Sequence, residues 1–364
     1  MTTSVRTISF ARGAPSLDIV PVGALRASAD AAFTEDPAGT FSYGTAVGYG
    51  PLREWIAGQH GVDVGRVIVT NGSLHACTML FDYLVTPGDL VAIEQPLYDR
   101  SLLGLSNRGA EFLELPLEAD GFDMGVLEAA LEAGRIPKFV YTIPHFHNPG
   151  GVTLSLAKRQ RLVELAQQHN FHIVEDDPYR DVSFSGDPLP SMLSMDESGA
   201  HVSYMCSFTK TVCPGLRIGY AIASEPITKD LVTTATNTYI SPGMVSESIL
   251  YQFIKAGHLE TSIATVRDAL SERRDAICQA VREHLPEAKF EVPDGGYFLW
   301  VELPASVDIT AVSAAAAEQG VPFSKGTDFM TSGGNSSLRL SYSSASAEDL
   351  REGIARLAAI INAQ

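Results

Sequence analysis

The sequence predicts an α/β protein: a large domain with a mostly parallel central sheet sandwiched by helices, and a smaller α+β domain built from the N- and C-terminal segments. Three observations predict it. Short β-branched apolar runs recur through the middle of the chain, amphipathic stretches of helical period separate several of them, and the texture changes after about residue 259. Strand, helix, strand repetition calls for a parallel sheet covered on both faces, because each crossover lays a helix on the sheet.

Taken in order, the chain up to about residue 40 reads as irregular, rich in Gly and Pro, and packed against the smaller domain. Apolar runs at 66–70, 90–94, 139–143, 171–175, 202–206 and 216–222 read as buried strands. Between them, the stretch 156–169 sets Leu162, Val163, Leu165 and Ala166 at helical spacing among arginines and glutamines. A long helix covers 259–285, followed by a strand in 295–302, a helix at 311–319, a strand at 337–341 and a terminal helix from Ala347. These elements divide the chain into an N-terminal arm that is part of the small domain (1–40), a large domain (41–270) and a C-terminal small domain (271–364).

The 364 residues carry 43 acids against 26 bases, a formal charge of −17. That surplus repels phosphate backbones and anionic lipid, and no basic run offsets it, so neither nucleic acid nor a membrane is expected as a partner. Four cysteines form no CxxC pair and have no metal-type spacing, which argues for a reducing compartment and no metal. The N-terminus lacks an apolar leader and no eighteen-residue apolar run occurs, so a cytoplasmic protein is expected.

Open parallel sheets bind ligands beyond the carboxyl ends of their strands, so the residues following each run carry the chemistry. After the first come Gly72, Ser73 and Leu74, a turn opening a helix whose free N–H groups suit a phosphate, although such turns are also ordinary caps. Tyr98 follows the second and, alone, reads as a packing aromatic. The third leads into a constrained stretch ending in Asn148, Pro149, Gly150 and Gly151, where His145 and His147 read as hydrogen-bonded loop residues. The fourth ends in Glu175, Asp176 and Asp177; a carboxylate so close to a buried strand needs a partner or a raised pKa, and a helix cap or ion pair would also explain it. The fifth leads to Lys210, flanked by small, apolar and hydroxyl residues that lower an amine's pKa and let it form an imine. Phosphate donors, an aromatic plate, an amide, a carboxylate, a lysine and Arg217 together fit pyridoxal phosphate.

With these residues in order, the sequence resembles the fold-type I pyridoxal-phosphate enzymes of the class I/II aminotransferase family, especially the 2-aminoadipate and aromatic branch. Ser207, Lys210, Pro214, Gly215 and Arg217 are similar to the family's S-x-S-K-x-x-x-P-G-x-R. The resemblance implies that Lys210 is the Schiff-base lysine and that Ser207 and Arg217 bind phosphate. It implies that Asp176 partners the pyridine nitrogen, that Tyr179 and Asn148 reach the ring hydroxyl oxygen, and that Tyr98 stacks on the ring. Tyr43 resembles the tyrosine that reaches the phosphate of a neighbouring subunit, which implies a homodimer with shared sites. Arg339 and Asn148 are implied to hold the substrate α-carboxylate, a bidentate task suited to arginine. Gly13 resembles the glycine lying over the substrate, and Arg12 beside it reads either as a contact to a distal carboxylate or as a solvated surface arginine.

Leu74 departs from the family's glutamine, leaving the backbone N–H as its contact to phosphate; Thr209 and Cys213 are smaller departures. The function implied is an aminotransferase moving an amino group between an amino acid and a 2-oxo acid through the Lys210 Schiff base. The same residues serve elimination, β- or γ-replacement and ring-forming condensation, so a lyase or cyclase of a specialised pathway stays open. A non-catalytic pyridoxal-sensing effector domain would carry an N-terminal winged helix, whereas the catalytic-type fold begins almost at residue one.

Overall fold

The computed structural model describes residues 6–363; residues 1–5 of the expected arm and residue 364 of the expected small domain lie outside them. Eight strands form the main sheet: Val67–Thr70 (β1), Leu90–Gln95 (β2), Glu111–Glu118 (β3), Gly121–Phe122 (β4), Phe139–Thr142 (β5), His172–Asp176 (β6), Val202–Ser207 (β7) and Gly219–Ile222 (β8). Their order is β1-β8-β7-β6-β5-β2-β3-β4. The neighbours from β7 through β6, β5 and β2 to β3 are parallel; β8 runs antiparallel to both β1 and β7, and β4 to β3.

Period-two alternation feeds two apolar layers. Ile68, Val91, Ile93, Tyr141, Val174, Met205 and Ala221 meet the helix Ser73–Leu84 and its neighbours on one face. Val67, Val69, Ala92, Val140, Ile173, Tyr204 and Ile222 point the other way, onto the helices Gly50–His60 and Leu156–His169. The latter helix covers the stretch its spacing predicts and ends where Asn170 adopts the left-handed conformation, φ 56°. Its arginines are not all on the solvated side: Arg159 is fully buried and donates to the carbonyls of Leu154 (2.8 Å), Pro190 (3.0 Å) and Pro144 (2.9 Å), tying down the chain after β5.

A second sheet, in the order β10-β11-β9, is antiparallel and made of Phe298–Glu302 (β9), Ser324–Lys325 (β10) and Ser337–Ser341 (β11). The helix Ala347–Asn362, capped by Ser346 Oγ accepting from Asp349 N at 3.1 Å, buries Leu350, Ile354, Leu357 and Ile361 beside the helix His258–His284. That 27-residue helix runs unbroken through the boundary expected at 270/271.

Three local expectations change. The first forty residues are not irregular throughout: Val22–Glu35 and Pro37–Phe41 are helices, and the first packs on the helix Met244–Lys255 rather than on the second sheet. Alanines between Pro21 and Pro37 propagate a helix that a Gly/Pro tally hides. The stretch that does join the small unit is shorter: Ile8 N donates to Gly320 O at 2.7 Å, and Phe10 exchanges bonds with Pro322 O and Ser341 N. β3 escapes the apolar-run criterion because Glu111, Glu114, Pro116 and Glu118 interrupt it near the sheet edge. In 216–222 only Gly219–Ile222 is strand, since Pro214–Leu216 is a 3₁₀ turn and Arg217 turns left-handed at φ 55°.

Candidate active site

The strands β1, β2, β5, β6 and β7 end on one edge, and the chain following them closes a cavity of about 160 Å³. It is lined by Gly72, Ser73, Leu74, Tyr98, Asn148, Asp176, Tyr179, Ser207, Lys210 and Arg217 among others, which brings together ten residues singled out above.

One end is built for a dianion. Gly72 turns at φ 82° into the helix Ser73–Leu84, whose N-terminus carries no side-chain cap, so backbone N–H groups and the positive end of the helix dipole face the cavity. A Cβ on Gly72 would stand 2.6 Å from Arg217 Nη2, so glycine lets the guanidinium reach this turn. Arg217 Nη2 donates to Asn71 O at 3.3 Å, and Ser207 Oγ lies 2.9 Å from Thr209 Oγ1. Leu74 is 37% exposed at the rim and brings no polar side chain.

At the opposite wall, strand alternation separates the three consecutive acids. Glu175 turns away and accepts from Met192 N (2.9 Å) and Leu193 N (3.0 Å). Asp177 accepts from His145 Nδ1 at 2.7 Å and Tyr204 Oη at 3.3 Å; burial raises its pKa, but the His145 charge and hydrogen bond outweigh this and hold it below the usual carboxylate range. Of the three, Asp176 alone faces the cavity, 3% exposed and without a salt bridge among the described residues. Its Oδ2 accepts from Tyr141 Oη at 2.7 Å and lies 3.6 Å from Cys77 Sγ, whereas its Oδ1 is buried and has no partner among the described residues. Burial pushes its pKa up to about 6 against the lowering effect of those donors. A buried carboxylate oxygen without a partner is costly, and a donor brought by a ligand would satisfy it.

Lys210 Nζ donates to Gly13 O and sits 5.5 Å from the Tyr179 ring and 5.2 Å from the Tyr297 ring. Tyr297 Oη donates to Lys210 O at 2.5 Å and anchors its backbone. Burial, helped by the charges of Arg339 and Arg217, lowers the amine's pKa to about 8 despite the opposing pull of Asp176. About a tenth of it is therefore a free nucleophile at pH 7, far more than of an ordinary lysine. Gly13 must be glycine: a Cβ there would meet Phe298 Cζ at 2.2 Å.

Arg339, on β11 and 7% exposed, lies between the rings of Phe298 (4.2 Å) and Phe329 (4.7 Å). Its Nη1 donates to Asn148 Oδ1 (2.8 Å), its Nη2 to Ala11 O (2.7 Å) and Ser324 Oγ (3.1 Å), and its Nε has no partner among the described residues. An arginine held flat by two rings is oriented for a planar carboxylate.

Four singled-out residues do not line this cavity: Gly13 and Arg339 border it through Lys210 and Asn148, whereas Tyr43 and Arg12 lie away from it. Tyr43 is 89% exposed, and Arg12 is exposed with no hydrogen-bond or ion-pair partner among the described residues. The sequence reading missed Tyr141, Cys77 and Tyr297, whose contacts to Asp176 or Lys210 join distant parts of the chain, and Ser101, which reaches Asp176 only through Tyr141. Period-two alternation, which places Tyr141 and Val174 on one sheet face, was the one signal that could have found Tyr141.

The fold and this site define a fold-type I transferase of amino groups. The family model for aminotransferase class I and II matches residues 6–357, and the chain belongs to that family. It is 34% identical to aromatic-amino-acid aminotransferase 1 of Thermococcus litoralis over 373 residues, 97% of this chain and 88% of the relative. It is 31% identical to the 2-aminoadipate transaminase of Thermus thermophilus, over 96% of this chain and 89% of that one. The crystal structure of LysN, the alpha-aminoadipate aminotransferase of Thermus thermophilus complexed with N-(5'-phosphopyridoxyl)-L-leucine, superposes with a TM-score of 0.93 at 30% identity, covering 98% of this chain and 92% of that one. The protein is an aminotransferase, and its family implies pyridoxal phosphate as the cofactor. Among the described residues, no helix is long and apolar enough to cross a membrane.

Proposed function

We propose that the cavity holds pyridoxal 5'-phosphate on Lys210 and that the enzyme exchanges an amino group between an amino acid and a 2-oxo acid bound through Arg339. The observation that carries this reading is the pairing, in one cavity, of a buried amine of lowered pKa with a buried carboxylate whose Oδ1 lacks a donor. The donor set fits the cofactor at both ends: Ser73 and Leu74 N–H groups, Ser207 and Arg217 for its phosphate, Asp176 for a protonated ring nitrogen.

When bound, the cofactor supplies an electron sink for a substrate carbon that loses a proton. Around it, Tyr98 offers an aromatic face and Tyr179 and Asn148 offer polar groups to the ring hydroxyl oxygen. Arg339 and Asn148 orient the substrate α-carboxylate and so fix which bond at Cα stands ready to break. Lys210 Nζ would take the proton from Cα of the amino donor and, in the opposite half-reaction, give one to Cα of the acceptor, a task its pKa of about 8 suits because an effective base titrates near the working pH. Arg12 has no role in this reading.

The enzyme is a homodimer in which Tyr43 reaches the phosphate of the partner's site. The supporting observation is its near-complete exposure, close in sequence to exposed Phe41. Four free cysteines fit a reducing, cytoplasmic setting.

The test is to reconstitute purified protein with pyridoxal phosphate and offer single amino acids, aromatic ones and 2-aminoadipate included, with 2-oxoglutarate. The expected product is the donor's 2-oxo acid together with glutamate. Absence of oxo acid with every donor would defeat the proposal.

A further inference from the structure

We propose that Tyr141 is a positioning residue of this enzyme: its hydroxyl, itself oriented by Ser101, pins one oxygen of Asp176 so that the other faces the cavity. The inference rests on the cofactor reading above. Ser101 Oγ donates to Tyr141 Oη at 2.8 Å, and Tyr141 Oη donates to Asp176 Oδ2 at 2.7 Å. All three side chains are buried. A phenol has one proton, so once Ser101 occupies a lone pair of its oxygen, that proton is committed to the carboxylate.

Tyr141 cannot swing away. It lies on β5 opposite Val174 of β6, with its ring packed edge-on to Phe81 at 5.7 Å and 68°. Cys77 Sγ approaches the same Oδ2, so both donors engage one oxygen and none engages Oδ1. The carboxylate is thereby fixed in rotation with a single open acceptor. Ser101 belongs to the helix Asp99–Ser106, which begins directly after Tyr98, so the relay also couples the helix behind the aromatic plate to the carboxylate. A donated hydrogen bond favours the ionised form, which opposes the desolvation of a fully buried acid. Only ionised Asp176 can hold a proton on a pyridine nitrogen.

The experiment measures the dissociation constant of pyridoxal phosphate against pH for the wild type, Tyr141→Phe, Ser101→Ala, Asp176→Asn and the double variant Tyr141→Phe/Asp176→Asn. Losing one charge-assisted hydrogen bond should move the acid-side loss of affinity up by about one pH unit in Tyr141→Phe, roughly tenfold weaker binding at a pH within that window. Ser101→Ala should move it the same way by less. In the Asp176→Asn background, Tyr141→Phe should change nothing further, because its effect passes through the carboxylate. A pH profile left in place, or equal weakening in both backgrounds, overturns the proposal. If circular dichroism shows Tyr141→Phe to be unfolded, Ser101→Ala decides by whether its profile shifts. Wild type that gains no visible absorbance with pyridoxal phosphate, or Lys210→Ala that keeps it, defeats the cofactor reading and the relay with it.

Discussion

Lys210 and Asp176 show what burial does to single residues in this protein. The amine at a pKa of about 8 is half protonated there, and the charged form dominates below. The rate at which cofactor-free enzyme captures pyridoxal phosphate should therefore rise about tenfold per pH unit up to about 8 and then level, read by stopped-flow absorbance. A profile flat between about pH 6 and 9 would contradict the lowered pKa. Asp176 is held above its ordinary value, so the folded state binds more protons than the unfolded one between about pH 4 and 6, and its contribution to stability falls as pH rises through that window. Asp176→Asn removes the uncompensated buried charge. Cofactor-free Asp176→Asn should melt a few degrees above the wild type at pH 7.5 by calorimetry while losing nearly all transamination.

The elements around the site are held by polar ties that local pattern does not announce. Arg159 sits in a helix whose sequence reads as arginines and glutamines on a wet face, yet its three donated bonds clamp the chain around Pro144, Leu154 and Pro190. Arg159→Met keeps the bulk but leaves those carbonyls short of donors, and should destabilise by about 3 kcal/mol, visible as a lower urea midpoint. It should also weaken cofactor binding, because the loop it clamps carries Asn148. Helix spacing alone identified Leu156–His169, since an apolar stripe is a local signal; which arginine turns inward depends on carbonyls 5 to 31 residues away in the chain. β3 and the helix Val22–Glu35 went unread for a related reason. The first interrupts its apolar run with acids and a proline near an edge, and the second buries little of itself, so neither carries a strong periodic signal.

At the scale of the whole molecule, one chain places Lys210, Asp176 and Tyr179 in its cavity but leaves Tyr43 pointing to solvent. The proposed homodimer should elute at twice the chain mass in gel filtration at micromolar concentration. Tyr43→Phe should keep that size and weaken pyridoxal phosphate binding by several-fold, the loss expected of one hydrogen bond to a phosphate. A monomer with full activity would remove Tyr43 from the site.

The chain alone was enough to place Asn148, Asp176, Lys210, Arg217 and Arg339 after or within strands and to reveal the family, because motif spacing and strand alternation are short-range properties. It also held the layered α/β architecture, since buried parallel strands write themselves as apolar runs. What only the tertiary structure decided is which polar atoms meet. Tyr141 and Asp176 lie 35 positions apart, and Asn148 and Arg339 lie 191 apart. Contacts of that separation depend on how two sheet faces and two units pack; period-two alternation assigns Tyr141 a face but not the atom it meets. The orientation of Asp176, with one oxygen pinned and the other free, is therefore a property of the folded molecule.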